Sequence, residues 1–283
     1  MPLKQHCRCR TQGDNLKQGF PHRARKRFGQ NFLQDEHIIS RIVDAIKPDE
    51  GQVLIEIGPG LGAITAPLLA RSGKLTVVEI DRDLAAGLRA RYCTHEGFTL
   101  IESDVLKVDF STLCQGQRSL RILGNLPYNI STPLLFHLLQ YRDLISDMVF
   151  MLQLEVVERL AAGPGNPDYG RLSIMMQYHC RVEKLFRVPP HAFNPQPKVE
   201  SAIARLTPWS TLPCPVNNYA LFEQLVRQAF SQRRKTIRNT LKHWLDNTAL
   251  DKLPVDLSLR PENLSLADYA RIADILDQHG STH

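Results

Sequence analysis

At 283 residues the chain has room for one large domain and a smaller companion, and its 43% hydrophobic and 23% charged residues are those of an ordinary globular protein. No apolar run approaches the roughly 18 residues of a membrane span. The N-terminus lacks an apolar signal core and the six cysteines show no paired metal spacing, so membrane, secreted and zinc-dependent classes are set aside and a cytoplasmic location is expected.

The net charge of +6 is uneven: residues 1–34 hold eight basic residues against Asp14 alone. A second run comprises Arg227, Arg233, Arg234, Lys235, Arg238 and Lys242. Two basic clusters on a near-neutral body point to a polyanionic partner.

In chain order, residues 1–22 mix Gly, Gln, Pro and basic residues without apolar periodicity and read as a disordered basic tail. A helix begins after Asp35, which can cap it; Ile38, Ile39, Ile42, Val43 and Ile46 share one face, and Pro48 and Gly51 stop it. Val53–Ile57 is a short apolar strand running into Gly58-Pro59-Gly60-Leu61-Gly62, with a helix over about 62–71. Leu75–Ile80 predicts a second strand and Asp81–Tyr92 a second helix, and Phe98–Glu102, Arg121–Gly124 and Met148–Leu152 continue the alternation. Continuous apolar strands between helices predict a parallel sheet covered on both faces, with ligands at the strands' carboxyl ends. Two loops interrupt, Gly163–Gly170 and Pro189–Lys198. From about Thr207 a Pro-rich linker leads to the helical faces Phe222, Leu225, Val226, Ala229, Phe230 and Leu266, Tyr269, Ile272, Ala273, Leu276. The expected organisation is a tail (1–22), an α/β catalytic domain (23–206) and a small helical domain (207–283).

The glycine turn admits two readings. Gly58, Gly60 and Ala63 satisfy the dinucleotide fingerprint, with Glu79 about twenty residues on to hold a ribose diol. Gly58, Gly60 and Gly62 after Glu56 equally fit the E-x-G-x-G-x-G of S-adenosylmethionine-dependent methyltransferases. An acid two positions before the first Gly suits a cationic amino-acid ligand and repels a pyrophosphate. Asp104, following the third strand, can accept a hydrogen bond from an adenine amino group.

The fourth strand ends Asn125-Leu126-Pro127-Tyr128, the NLPY form of an amino-group methyltransferase signature. An adenine amino nitrogen is a poor nucleophile because its lone pair is delocalised into the ring. Asn125 can accept one N–H, a neighbouring backbone carbonyl can accept the other, and Pro127 fixes where they point. Tyr128 supplies a face for the extruded base.

With these residues in place the chain resembles the bacterial small-subunit (16S) rRNA adenine N6,N6-dimethyltransferases over about residues 23–275. The carrying strings are RKRFGQNFL (25–33), EIGPGLG, VVEIDRDLA, GNLPYNIST (124–132), FNPQPKVESA (193–202) and FSQRRKTIRNTL (230–241). The resemblance implies a Rossmann-like class I methyltransferase sheet with a small C-terminal all-helical domain, and S-adenosyl-L-methionine as cofactor. It implies dimethylation of two adjacent adenosines in a 3′-terminal hairpin of 16S rRNA, within an immature 30S particle. It assigns Asn31, Leu33, Gly58, Gly60, Glu79, Asp104 and Asn125 to the cofactor, and Phe193 to stacking on the target adenine opposite Tyr128. Arg233, Arg234, Lys235 and Arg238 are expected to contact RNA phosphates. The sequence is silent on oligomeric state; a monomer is the expectation.

The tail before Arg23 is longer than the short lead expected of that family. Three competing readings are weighed against this one. A sister enzyme acting on 23S rRNA shares the cofactor and NLPY motifs and differs in the helical domain, where FSQRRKTIRNTL resembles the small-subunit family. A non-catalytic nucleic-acid-binding relative is opposed by the intact Asn125–Tyr128 turn. A nicotinamide oxidoreductase finds no residues for hydride chemistry.

Overall fold

The computed structural model describes residues 30–114, 120–128, 130–242, 244–246, 250–251 and 253–280. The basic tail, and Arg25–Gly29 of the first family string, lie outside the described residues. A short strand β1 (Phe32–Leu33) leads into α1 (Glu36–Ile46). Asp35 Oδ1 accepts the Ile38 N–H at 3.0 Å, the capping its sequence position predicts, and Lys47 ends the helix in the left-handed conformation at φ 49°.

Five strands then run parallel: β2 (Val53–Ile57), β3 (Leu75–Glu79), β4 (Phe98–Glu102), β5 (Leu120–Asn125) and β6 (Ile145–Gln153). Between or after them come α2 (Thr65–Ser72), α3 (Arg82–Arg91), α4 (Ser131–Leu139) and α5 (Leu154–Ala161). Helix α2 starts later than position 62 because the glycine turn continues through Ile64.

The expectation of a wholly parallel sheet fails beyond β6. After α6 (Arg171–His179) come β7 (Cys180–Val188), a two-residue β8 (Phe193–Asn194) and β9 (Ser201–Pro208). The sheet order is β4-β3-β2-β5-β6-β9-β7, with β9 antiparallel to both its neighbours, while β1 and β8 pair separately. Strand β7 is an edge strand carrying Arg181, Glu183, Lys184 and Arg187, so it shows no apolar run by which to read it. Order reverses between β2 and β5, which places the ligand crevice at their carboxyl ends.

Alternation along β2 divides the core. Ile55 and Ile57 join Leu134, Leu138 and Val157 on one face; Leu54 joins Ile42, Leu68 and Leu88 on the other. Arg121 of β5 holds Asp147 of β6 with Nε at 2.7 Å and Nη2 at 2.9 Å, and donates to the carbonyls of Ile46 and Lys47. Arg205 of β9 donates to the Ala45 carbonyl. Two guanidinium groups thus take up the open carbonyls at the end of α1.

The remaining helices are α7 (Tyr219–Ser231), α8 (Ile237–Leu241) and α9 (Leu266–Gly280). Phe222, Leu225, Val226, Tyr269 and Ile272 form one core with Ile174 and Tyr178 of α6. No helix among the described residues is long and apolar enough to cross a membrane.

Candidate active site

The crevice is built from the ends of β2, β3 and β5 and the segment before α1. Gly58, Gly60 and Gly62 have φ of 64°, 59° and 82°, which non-glycine residues rarely adopt. A Cβ at Gly60 would also stand 3.2 Å from the Phe32 ring. A Cβ at Gly124 would lie 2.3 Å from the Ile57 carbonyl oxygen, so β2 and β5 approach closely where the crevice opens.

Three acids line it. Glu79 is 5% exposed; its Oε2 accepts the Gly60 N–H at 3.3 Å and its Oε1 the Asp81 N–H at 2.9 Å. Burial raises its pKa, and those backbone donors moderate the rise. Glu56 shares the sheet face of Leu54, under α2, where Thr65 Oγ1 donates to its Oε2 at 2.7 Å. Burial pushes this carboxyl up to about 7, with the Glu79 charge adding to the rise. Asp104 Oδ1 accepts the Leu106 N–H at 3.1 Å, and its other oxygen has no partner among the described residues.

Asn125 is the last residue of β5, and its Nδ2 donates to the Asn31 carbonyl at 3.2 Å. That bond turns Oδ1 away from Asn31, and the structure gives Oδ1 no partner among the described residues. The turn after it is tied at both ends. Leu126 N–H donates to the Met151 carbonyl, Ile130 N–H to the Pro127 carbonyl, and Ser131 Oγ to the Tyr128 carbonyl. The Leu126 carbonyl alone of this turn keeps no partner among the described residues. The Tyr128 hydroxyl lies 3.1 Å from Ser201 Oγ.

Asn31, Leu33, Gly58, Gly60, Glu79, Asp104, Asn125, Pro127 and Tyr128 therefore all face one pocket. Phe193 does not. It pairs with Leu33 across β1 and β8 and is 3% exposed. Its ring belongs to the apolar core on the α1 side and does not line the pocket beside Tyr128.

The basic run is also divided. Arg227 lies in α7 and Arg238 in α8, while Arg233, Arg234 and Lys235 occupy the turn between them. Arg233 pairs with Glu262 at 3.7 Å and donates to the Pro167 carbonyl, and Arg238 pairs with Asp251. Arg234 and Lys235 are exposed, and their side chains have no hydrogen-bond or ion-pair partner among the described residues.

Sequence reasoning passed over Gln30, Phe32, Ile80 and Ser201. Gln30 Nε2 donates to Asp81 Oδ2 at 3.1 Å, bringing the segment before β1 across to the end of β3. Ile80 is 48% exposed at the pocket rim, an apolar side chain directly after the strand-end acid. That adjacency was a usable signal.

The model of the family described as "Ribosomal RNA adenine dimethylase" matches residues 21–278. The chain belongs to that family. It is 57% identical over 261 residues to a "Ribosomal RNA small subunit methyltransferase A" of Pseudomonas putida, covering 92% of this chain and 98% of the relative. Identity to a protein of the same description from Hahella chejuensis is 55%, over 91% of this chain and 94% of that one. Among solved structures, a dimethyladenosine transferase from Plasmodium falciparum aligns with a TM-score of 0.73 at 28% identity, covering 88% of this chain and 98% of that one. The 23S rRNA methyltransferase ErmE aligns with a TM-score of 0.69 at 25% identity, covering 88% and 100%. As a ribosomal RNA adenine dimethylase the chain is an S-adenosylmethionine-dependent enzyme with a Rossmann-like fold and a helical C-terminal region.

Proposed function

We propose that this protein dimethylates N6 of two adjacent adenosines in a 3′-terminal hairpin of 16S rRNA. The target on this reading is an immature small-subunit particle, and the enzyme acts as a cytoplasmic monomer. The observation that carries the chemistry is Asn125 at the carboxyl end of β5, its Oδ1 left open by the Nδ2 bond to Asn31.

The pocket suits the methyl donor on its own chemistry. Glu79 offers two carboxylate oxygens for a ribose diol, Asp104 one unpartnered oxygen for an adenine amino group, and Glu56 a buried carboxyl for a cationic amino acid. When bound, that cofactor supplies an electrophilic sulfonium methyl group. The protein's part is positioning. Asn125 Oδ1 and the Leu126 carbonyl accept the two N6 hydrogens, drawing the nitrogen toward a pyramidal form with its lone pair directed at the methyl. No general base with a shifted pKa is required. Pro127 holds the turn and Tyr128 stacks on the extruded base. In this reading Phe193 forms the second wall only once its ring leaves the cover of Leu33. A once-methylated amine has one N–H left, so stacking, worth about 1–3 kcal/mol per base, holds it for the second transfer.

The 23S alternative is supported by the likeness to ErmE. The small-subunit reading is preferred because relatives at 55–57% identity carry small-subunit descriptions. The test is methylation of unmodified 30S and 50S particles followed by nucleoside mass spectrometry. N6,N6-dimethyladenosine in 16S rRNA is expected; label confined to 23S rRNA, or monomethyladenosine alone with excess cofactor, overturns the assignment.

A further inference from the structure

The FNPQPKVESA string contains one buried polar side chain that the cofactor and acceptor groups do not use, Ser201. It opens β9 and is held on both sides, paired with Gln153 of β6 and with Val188 of β7, and it is 1% exposed. Its hydroxyl lies 3.1 Å from the Tyr128 phenol, 73 residues earlier in the chain. The phenol has no other partner among the described residues.

We infer that Ser201 is a positioning residue: it holds the Tyr128 ring in the plane that the target adenine stacks against. This rests on the proposed methyl-transfer reading.

The physical argument starts from what holds the catalytic turn. Its backbone is fixed at Leu126, Pro127 and Tyr128 by bonds to Met151, Ile130 and Ser131. None of these restrains the Tyr128 side chain. A half-buried tyrosine with a free hydroxyl keeps two torsions, and freezing them on each encounter with a base lowers the fraction of productive complexes. The Ser201 bond removes that freedom beforehand. Its anchor is a strand paired on both sides, so the ring is referenced to rigid structure rather than to the turn alone. The same loop that delivers Ser201 to β9 also carries Phe193, so both walls of the base site depend on one segment.

Three variants test this: Ser201→Ala, Tyr128→Phe and the double variant, with Ser201→Thr as the conservative control. Ser201 is outside the cofactor pocket, so the Kd for S-adenosylmethionine should stay within about twofold of wild type, while kcat on 30S particles falls about tenfold. Tyr128→Phe keeps the ring and loses only the bond, so it should match Ser201→Ala, and the double variant should be no slower than either single one. Ser201→Thr keeps the hydroxyl and should restore most of the turnover. Thermal melts report folding. A Ser201→Ala protein with wild-type kcat overturns the inference, as do losses that multiply in the double variant or a kcat loss that follows the melting temperature in Ser201→Thr as well. If wild type labels no small-subunit particle, the proposed function falls and this inference falls with it.

Discussion

Glu56 is a carboxyl group placed where its neutral form is favoured, and that has a measurable consequence. Its folded pKa of about 7 lies above the ordinary 4.5, so between those values the folded chain keeps a proton that the unfolded chain releases. Stability of the cofactor-free protein should therefore fall as pH rises from about 4.5 to 7 and level off above. A cationic amino acid beside Glu56 favours the ionised form, so cofactor affinity should rise over the approach to pH 7. Calorimetry in buffers of different ionisation enthalpy reads this as proton release, which Glu56→Gln should abolish. An affinity independent of pH in wild type would remove Glu56 from the cofactor's charge balance. Two further residues separate binding from chemistry. Glu79→Ala removes charge-assisted bonds worth about 1.5–3 kcal/mol, a roughly ten- to hundredfold weaker cofactor in a titration. Asn125→Ala should bind cofactor almost normally and lose nearly all turnover, because its oxygen is used as the amino nitrogen pyramidalises.

At the scale of elements, the turn between α7 and α8 separates two kinds of cation. The head groups of Arg234 and Lys235 have no partner among the described residues, whereas Arg233 ties the turn to Glu262 and Pro167. Reversing Arg234 and Lys235 to Glu should weaken RNA binding and flatten its dependence on salt, by about 0.7–0.9 in log–log slope for each phosphate no longer neutralised. Arg233→Ala should instead lower the melting temperature with little change in slope. Filter binding across a salt series decides between them, and equal slopes for all variants would remove this turn from the RNA surface. The division could not be read from composition, because ion pairing joins residues distant in the chain. The same limit explains what else was and was not legible. The β2–glycine–α2 unit, Glu79 at a strand end and Asn125 at another are set by local pattern, and the structure places them in one pocket. Strand β7 was hidden by its exposed charges, and Ser201 by its hydrogen bond to a residue 73 positions away. The covered state of Phe193 depends on the β1–β8 pairing, which joins two-residue strands too short to leave a pattern.

Over the whole molecule, the seam between sheet and helices contains a buried histidine. His179 Nε2 lies 2.9 Å from the Tyr219 hydroxyl, and its Nδ1 is buried without a partner among the described residues. Burial lowers its pKa from 6.5 to about 4, so the unfolded chain binds the extra proton between those values and stability is lost as pH falls through that window. Replacing His179 with Gln should flatten the acid limb of a melting-temperature profile, and an unchanged limb would assign the acid sensitivity elsewhere. The position of β9 has a different kind of consequence, in the order in which the chain is made. The strand lies between β6 and β7 although it is synthesised after both. Until residues 201–208 leave the ribosome, β7 has no neighbour to pair with and the apolar edge of β6 stands open. A nascent chain halted after Val188 should therefore be cut readily by protease across β6 and β7, while one halted in the linker beyond Pro208 should resist. The chain would then be most exposed to aggregation during the interval between making its seventh strand and its ninth.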